Sequence, residues 1–231
     1  MKGDYSSIYD KYLNNKEVIN SSMRYDVENV KYLILEKLIS TLKDMLDHSE
    51  GYTEKNWQEK IYSIISFIFP KYIASVREVD LGKENGYDRC VDFLLVDSQG
   101  FIDLLEIKKP NIVPLLNKSK DRNNNTPSRI FTNAVMQMEK YLYTLSSNIT
   151  LSKKIIDKIL QSGDLTITPR VVNPIGLLIL GRSNMMTAEQ KGDFEIIKRQ
   201  YKNVTEIITY DDLLSRMENM LRNLKKKNDS V

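Results

Sequence analysis

The stretch Arg89-Cys90-Val91-Asp92-Phe93-Leu94-Leu95-Val96-Asp97-Ser98-Gln99-Gly100-Phe101-Ile102-Asp103-Leu104-Leu105-Glu106-Ile107-Lys108 decides how the chain is read. Two apolar, β-prone runs flank Asp97-Ser98-Gln99-Gly100, a polar cluster ending in glycine, which is a hairpin signal. Side chains along a strand alternate between faces. Asp92, Leu94 and Val96 therefore share a face of the first run, and Ile102, Leu104, Glu106 and Lys108 share a face of the second. A loop of Ser98 to Gly100, with Gly100 left-handed in a bulge, pairs Asp97 with Phe101. Counting back puts Asp92 opposite Glu106, with Cβ atoms roughly 4.5–5.5 Å apart. Carboxylates that close repel unless a cation lies between them. Lys108 adds an ammonium one step further along the same face. Oxygen ligands beside a lysine suit Mg2+-assisted cleavage of a phosphodiester. On this hairpin alone, the same residues also read as solvated strand ends.

Composition narrows the classes. At 231 residues there is room for one substantial domain and a smaller appendage. With 41% hydrophobic and 28% charged residues, the chain reads as soluble and globular. A net charge of +3 and a pI of about 8.7 are compatible with nucleic acid without arguing for it. Cys90 is the single cysteine, so no internal disulfide forms, which fits a reducing cytoplasm. His48 is the single histidine, which excludes His-rich zinc sites and paired-imidazole mechanisms. A Cys90–His48 nucleophile is conceivable, but packing in a strand suits Cys90 better. The apolar stretches 61–69 and 175–180 fall far short of the ~20 residues a spanning helix needs. Met1-Lys2-Gly3-Asp4 lacks the apolar core of a signal peptide. The expectation is a cytoplasmic protein with no membrane partner. There is no internal repeat and no glycine-rich phosphate cradle.

Around the hairpin, residues 1–50 read as a separate helical extension. Within 25–47, Val30, Leu33, Leu38, Leu42, Met45 and Leu46 fall near helical spacing. His48 follows, where a cation meets the negative helix terminus. Residues 53–69 form the next helix, capped by Thr53 and ended by Pro70. Its apolar face holds Trp57, Ile61, Ile64, Ile65 and Ile68, with Glu54 near the middle, Gln58 at the edge and Glu59 opposite. Glu54 is thus the acid expected to point inward, where it needs a partner or a metal. Interaction with its own helix N-terminus is the alternative.

Residues 74–81 read as a strand and 82–88 as a polar turn. Beyond the hairpin, residues 116–128 are polar, rich in turn formers, and carry Lys118, Lys120 and Arg122. They read as a mobile loop or as a loop contacting phosphate. Thr126-Pro127 is expected to open a helix to about Leu145. Ala134, Met138, Leu142 and Leu145 face inward, and Gln137 and Tyr141 stack at the border of that face. That pair is either a polar device aimed at a ligand or ordinary core satisfaction. Residues 151–161 suggest a short helix, 175–180 a strand covered on both faces, 188–201 a helix and 204–209 a strand. Tyr210-Asp211-Asp212 opens a last helix to about Leu224, before the solvated basic tail Lys225-Lys226-Lys227. The order specifies an α/β fold with a mixed sheet flanked by helices.

Asp92, then Glu106-Ile107-Lys108, then Gln137 and Tyr141, set on this order of elements, resemble the PD-(D/E)XK nuclease superfamily; Val91 stands where a proline is common. The chain is more closely similar to the Shedu anti-phage defence nucleases. The stretches carrying this are Trp57-Gln58, Val91-Asp92-Phe93-Leu94-Leu95, Glu106-Ile107-Lys108-Lys109-Pro110, Ala134-Val135-Met136-Gln137 with Tyr141-Leu142, Gly181-Arg182, and Thr209-Tyr210-Asp211-Asp212-Leu213-Leu214. The resemblance spans about residues 53–224. It implies a restriction-endonuclease-like fold, with residues 51–231 as the nuclease domain and 1–50 as an extension outside it. It further implies a Mg2+- or Mn2+-dependent endonuclease of bacterial immunity, acting on phage DNA as a homo-oligomer, dimer or tetramer. Residue by residue, Asp92 and Glu106 look like metal ligands, the Ile107 carbonyl a third oxygen, and Glu54 the first-helix acid completing the shell. Lys108 would orient the attacking water or offset charge on the phosphate. Gln137 would position Lys108 or a phosphate. Lys118, Lys120, Arg122 and Tyr141 are candidate DNA contacts, alongside Lys108. Two alternatives stay open: a catalytically silent module binding DNA ends or a partner protein, and an RNA-directed nuclease.

Overall fold

Local chemistry closes the central hairpin. In the computed structural model, which describes residues 21–84, 87–111, 114–161, 167–202 and 205–228, the N–H groups of Gln99 and Phe101 each donate to Asp97 Oδ1 at 2.9 Å. Asp97 N donates to Phe101 O, and Gly100 takes φ +86, a left-handed conformation that glycine adopts without strain. Strands β2 (Tyr87–Asp97) and β3 (Ile102–Ile107) pair antiparallel, Val96 with Ile102 through Phe93 with Leu105. The expected loop and register are both borne out.

Strand β1 (Tyr72–Glu84) pairs antiparallel with β2, while β4 (Gly176–Ile179) and β5 (Thr205–Ile208) extend the sheet in parallel beyond β3. The order β1-β2-β3-β4-β5 makes a mixed sheet. Every residue of β4 is buried, as its continuous apolar run requires between two parallel neighbours. β1 is longer than predicted. It continues through Gly82 (φ +94) and shifts register between Asp80 and Lys83, so most of the predicted turn 82–88 is strand. Residues 85–86 of that turn lie outside the described residues, as does Val204 of the predicted strand 204–209.

Helix α1 (Ser21–Asp47) buries Leu35, Leu38, Ile39, Leu42, Met45 and Leu46. Leu33, predicted on its apolar face, is 60% exposed. Helix α2 (Glu54–Ile68) starts with a capping box between Thr53 and Asn56 and ends ahead of Pro70. It buries Trp57, Ile61, Ile64 and Ile65, and Tyr62 stacks on Phe93 with ring centroids 4.7 Å apart. The other sheet face, with Leu94, Val96, Ile102 and Leu104, forms one core with three more helices. These are α3 (Arg129–Ser147), through Phe131, Val135 and Met138; α4 (Ile149–Gln161), through Ile155 and Ile159; and α5 (Ala188–Tyr201), through Phe194 and Ile197. Each such side chain contributes about 1.5–3 kcal/mol on burial.

The helix predicted from Thr126-Pro127 begins later. Ser128 is the N-cap, accepting from Phe131 N, because Thr126 is already engaged with Asn117. Hydrogen bonds tie residues 116–128 to one another and to α5. Asp121 and Asn124 exchange backbone hydrogen bonds, with Arg122 and Asn123 at positive φ between them. Asn125 Nδ2 donates to Asp193 and Lys120 pairs with Glu189, both on α5 and both at 2.7 Å. Helix α6 (Tyr210–Asn228) runs past the predicted end near Leu224 and takes Lys225 into the helix instead of a tail.

The described residues divide into two compact units: Leu42–Ser215, which holds the sheet, and a second comprising residues 21–41 and 216–228. Among the described residues no helix is long and apolar enough to cross a membrane.

Candidate active site

Past the Phe93–Leu105 pair, side chains replace the ladder. Ile107 N donates to Asp92 Oδ2 at 2.7 Å, and Asp92 N donates to Glu106 Oε2 at 3.4 Å. Each acid thus reaches the backbone of the opposite strand. Lys108 Nζ donates to Glu106 Oε1 at 2.6 Å. Two bonds fix the Lys108 backbone: its N donates to Ile179 O on β4, and its O accepts from the Tyr210 hydroxyl, both at 2.8 Å. Asp92, Glu106 and Lys108, brought together by the predicted register, form one network.

Gln58 was not predicted as a site residue. From α2 its Nε2 donates to Asp92 Oδ1 at 2.7 Å. The signal that pointed to it was its place at the edge of the α2 apolar face, one turn after Glu54. Glu54 itself is exposed, contrary to the expectation that it points into that face. The buried face begins at Trp57, and Glu54, in the first turn, borders a cleft of about 220 Å³ shared with Lys108 and Gln137. Gln137 Nε2 donates to the Tyr141 hydroxyl at 2.6 Å, as their spacing predicts. Gln137 and Tyr141 both line a second cleft, of about 320 Å³. Lys118, Lys120 and Arg122 line neither.

The electrostatics are unbalanced. Glu106 is 3% exposed, and burial pushes its carboxyl up against the pull of Lys108. Burial, then the charge of Glu106, push Asp92 up to about 7, although the Ile107 N–H and Lys108 oppose them. Burial pushes Lys108 down, but the charges of Glu106 and Asp92 outweigh it and hold the ammonium above the usual lysine range. Burial, then Glu106, raise the Tyr141 hydroxyl as well. Two carboxylates share one ammonium, so the cluster favours either an extra proton or an extra cation.

Hard carboxylate oxygens short of positive charge fit Mg2+ or Mn2+. Each of the four oxygens already faces a protein donor: Gln58 Nε2, Ile107 N, Asp92 N or Lys108 Nζ. An ion would displace some of them. Among the described residues no three His, Cys, Asp or Glu side chains converge closely enough to hold an ion. Further ligands beyond Asp92 and Glu106 must therefore be backbone, water or substrate oxygens.

No curated protein matches the chain. Residues 51–214, which include Gln58, Asp92, Glu106, Lys108, Gln137, Tyr141 and Tyr210, match the family model described as Shedu protein SduA, C-terminal. With most of its length matched, the chain belongs to the Shedu family.

Proposed function

We propose that this member of an anti-phage defence family is a metal-dependent DNA endonuclease with a PD-(D/E)XK-type centre. The observation that carries the reading is the burial of Asp92 and Glu106 with a single ammonium, Lys108, at the end of one strand pair. Asp92, Glu106 and the Ile107 carbonyl would hold a divalent ion, with water or substrate oxygens completing its shell; Glu54, in the lining of the neighbouring cleft, would act on it only through such a water. When bound, such an ion favours hydroxide character on a water and offsets charge on the phosphate.

The remaining work falls to the chain. Gln58 and Ile107 N hold the Asp92 carboxylate in one orientation, as partners of metal-binding carboxylates do elsewhere. Without the ion, the carboxylate neighbours hold the Lys108 ammonium above the ordinary lysine range. The role that suits it is to orient water and stabilise negative charge on the phosphate. Gln137 lines the clefts on both sides and can meet a flanking phosphate.

Conversion of supercoiled plasmid to the nicked form in Mg2+ tests the reading. Lys108→Ala and Glu106→Ala should each slow nicking by about 10²-fold or more. Equal rates in wild type and both variants would remove these residues from the chemistry. The rival, a silent DNA-binding module, is favoured by salt-sensitive binding with no Mg2+-dependent turnover. Faster Mg2+-dependent cleavage of a labelled RNA than of the plasmid, measured side by side, would redirect the reading to RNA.

A further inference from the structure

The two clefts beside the acid pair share Asn133 and Gln137, so they run on from one another as one groove along one flank of α3. Lys108 and Lys109 line the first, and Arg89 and Lys140 the second. Glu54 is the one acid in either lining. Arg89 Nη1 donates to Thr144 Oγ1 on α3 at 2.7 Å, which directs the guanidinium along the helix. Ile130 lines the first cleft and Met136 the second, each 46% exposed, so each cleft offers an apolar contact beside its cations. From Ile130 to Lys140 the helix rises about 15 Å. One DNA strand advances about 3.4 Å per nucleotide, so this length matches about four nucleotides.

Resting on the nuclease reading above, we propose that this groove is the track of the cut strand's backbone. Lys109 meets a phosphate on one side of the scissile position, and Arg89 and Lys140 meet phosphates on the other. Ile130 and Met136 lie against the sugars between them. The basic loop 116–128 is not part of the track: its cations line neither cleft.

The test measures binding of the full chain to a short fluorescein-labelled duplex of mixed sequence, without divalent ions, over a range of salt. Each lost phosphate contact lowers the slope of log K against log salt by about 0.9. Lys140→Gln should lower it by about 0.9 and the Arg89→Gln/Lys140→Gln pair by about 1.8. Lys153→Gln/Lys154→Gln, exposed on α4 and outside both clefts, should leave it unchanged. If the Arg89 substitution unfolds the protein, Lys140→Gln alone carries the result. An unchanged slope in Lys140→Gln, an equal fall in the α4 pair, or no wild-type binding at low salt overturns the proposal. Mg2+-dependent nicking by wild type with an unchanged slope discards the track and keeps the nuclease. The reverse outcome keeps a DNA track and discards the cutting site.

Discussion

Two acid–lysine clusters stand at the same end of the sheet, built from the same kinds of residue to opposite electrical effect. One follows β3: Asp92, Glu106 and Lys108. The other follows β4 and β5: Asp211 and Asp212 with Arg182 and Lys198. In the second, Asp211 pairs with Arg182, and Asp212 shares Lys198 with Glu195, which also meets Arg199. Asp211 accepts from Arg182 Nε at 3.0 and 3.1 Å, from Ser183 N at 2.6 Å and from Asn184 N at 3.1 Å. Asp212 accepts from Lys198 Nζ at 3.0 Å and from Thr209 N at 3.1 Å, and Asp212 N returns a bond to Thr209 Oγ1, which caps α6. Burial pushes Asp212 up, but the Thr209 N–H and Lys198 outweigh it and hold its carboxyl below the usual range. In the first cluster burial wins and both acids are raised. The Glu106 side chain is 4% exposed against 35% for Asp212, so deeper burial together with fewer cations separates the first cluster from the second, a structural anchor.

The contrast breaks most readily at Asp211. Asp211→Ala leaves the Arg182 guanidinium, 25% exposed, and two loop N–H groups without their acceptor. The expected cost is about 3 kcal/mol, read from the urea midpoint. Nicking per folded molecule should stay near the wild-type rate. A cost under about 1 kcal/mol, or a loss of nicking with stability kept, would show that the second cluster is not the anchor.

At Asp92 the sign reverses. Its pKa rises from 3.8 to about 7 on folding. Between those values the folded chain binds more protons than the unfolded chain, so stability falls as pH climbs through this window and stays lower above it. Asp92→Asn removes the buried charge while keeping an acceptor for Ile107 N. Without metal it should stabilise the protein by about 1–2 kcal/mol near pH 8 and give no gain near pH 4. It should also abolish nicking. Asp212→Asn should behave in the opposite way, because a lowered carboxyl pKa stabilises at high pH and its contribution is lost as pH falls. Denaturation midpoints of wild type and Asp92→Asn that run parallel across pH would refute the imbalance at the first cluster.

What was legible in the sequence was local. Asp97 and Gly100 set the hairpin loop within four residues, and that loop sets the register that brings Asp92 to Glu106. Gln137 and Tyr141 meet because helical spacing puts them there. Contacts made across the chain were not legible. Gln58 finds Asp92 from another element, and Asn125 finds Asp193 on α5. Local rules also failed where they tied. The run Leu33-Ile34-Leu35 offers more than one apolar phase to α1, and packing selected the one with Leu35 and Leu38. Thr126 and Ser128 can both cap α3, and pairing with Asn117 took Thr126 out of contention. β1 outran its apolar stretch because strand pairing with β2 continues through the polar Lys83 and Glu84.

The smallest effect belongs to the residue that joins the two clusters. Tyr210 is adjacent in sequence to Asp211, its N donates to Gly181 O beside Arg182, and its hydroxyl donates to the carbonyl of Lys108. The ring is fully buried and meets Trp57 edge-on at 5.1 Å. Tyr210→Phe keeps the ring contact and deletes one hydrogen bond, at an expected cost of about 1 kcal/mol in the urea midpoint. Lys108 N still donates to Ile179 O, so the strand end keeps one of its two supports and nicking should slow only a few-fold. A loss of nicking as deep as that of Lys108→Ala, with unchanged stability, would make the hydroxyl part of the chemistry. The clusters would then be one unit, in which the anchor sets the lysine's position.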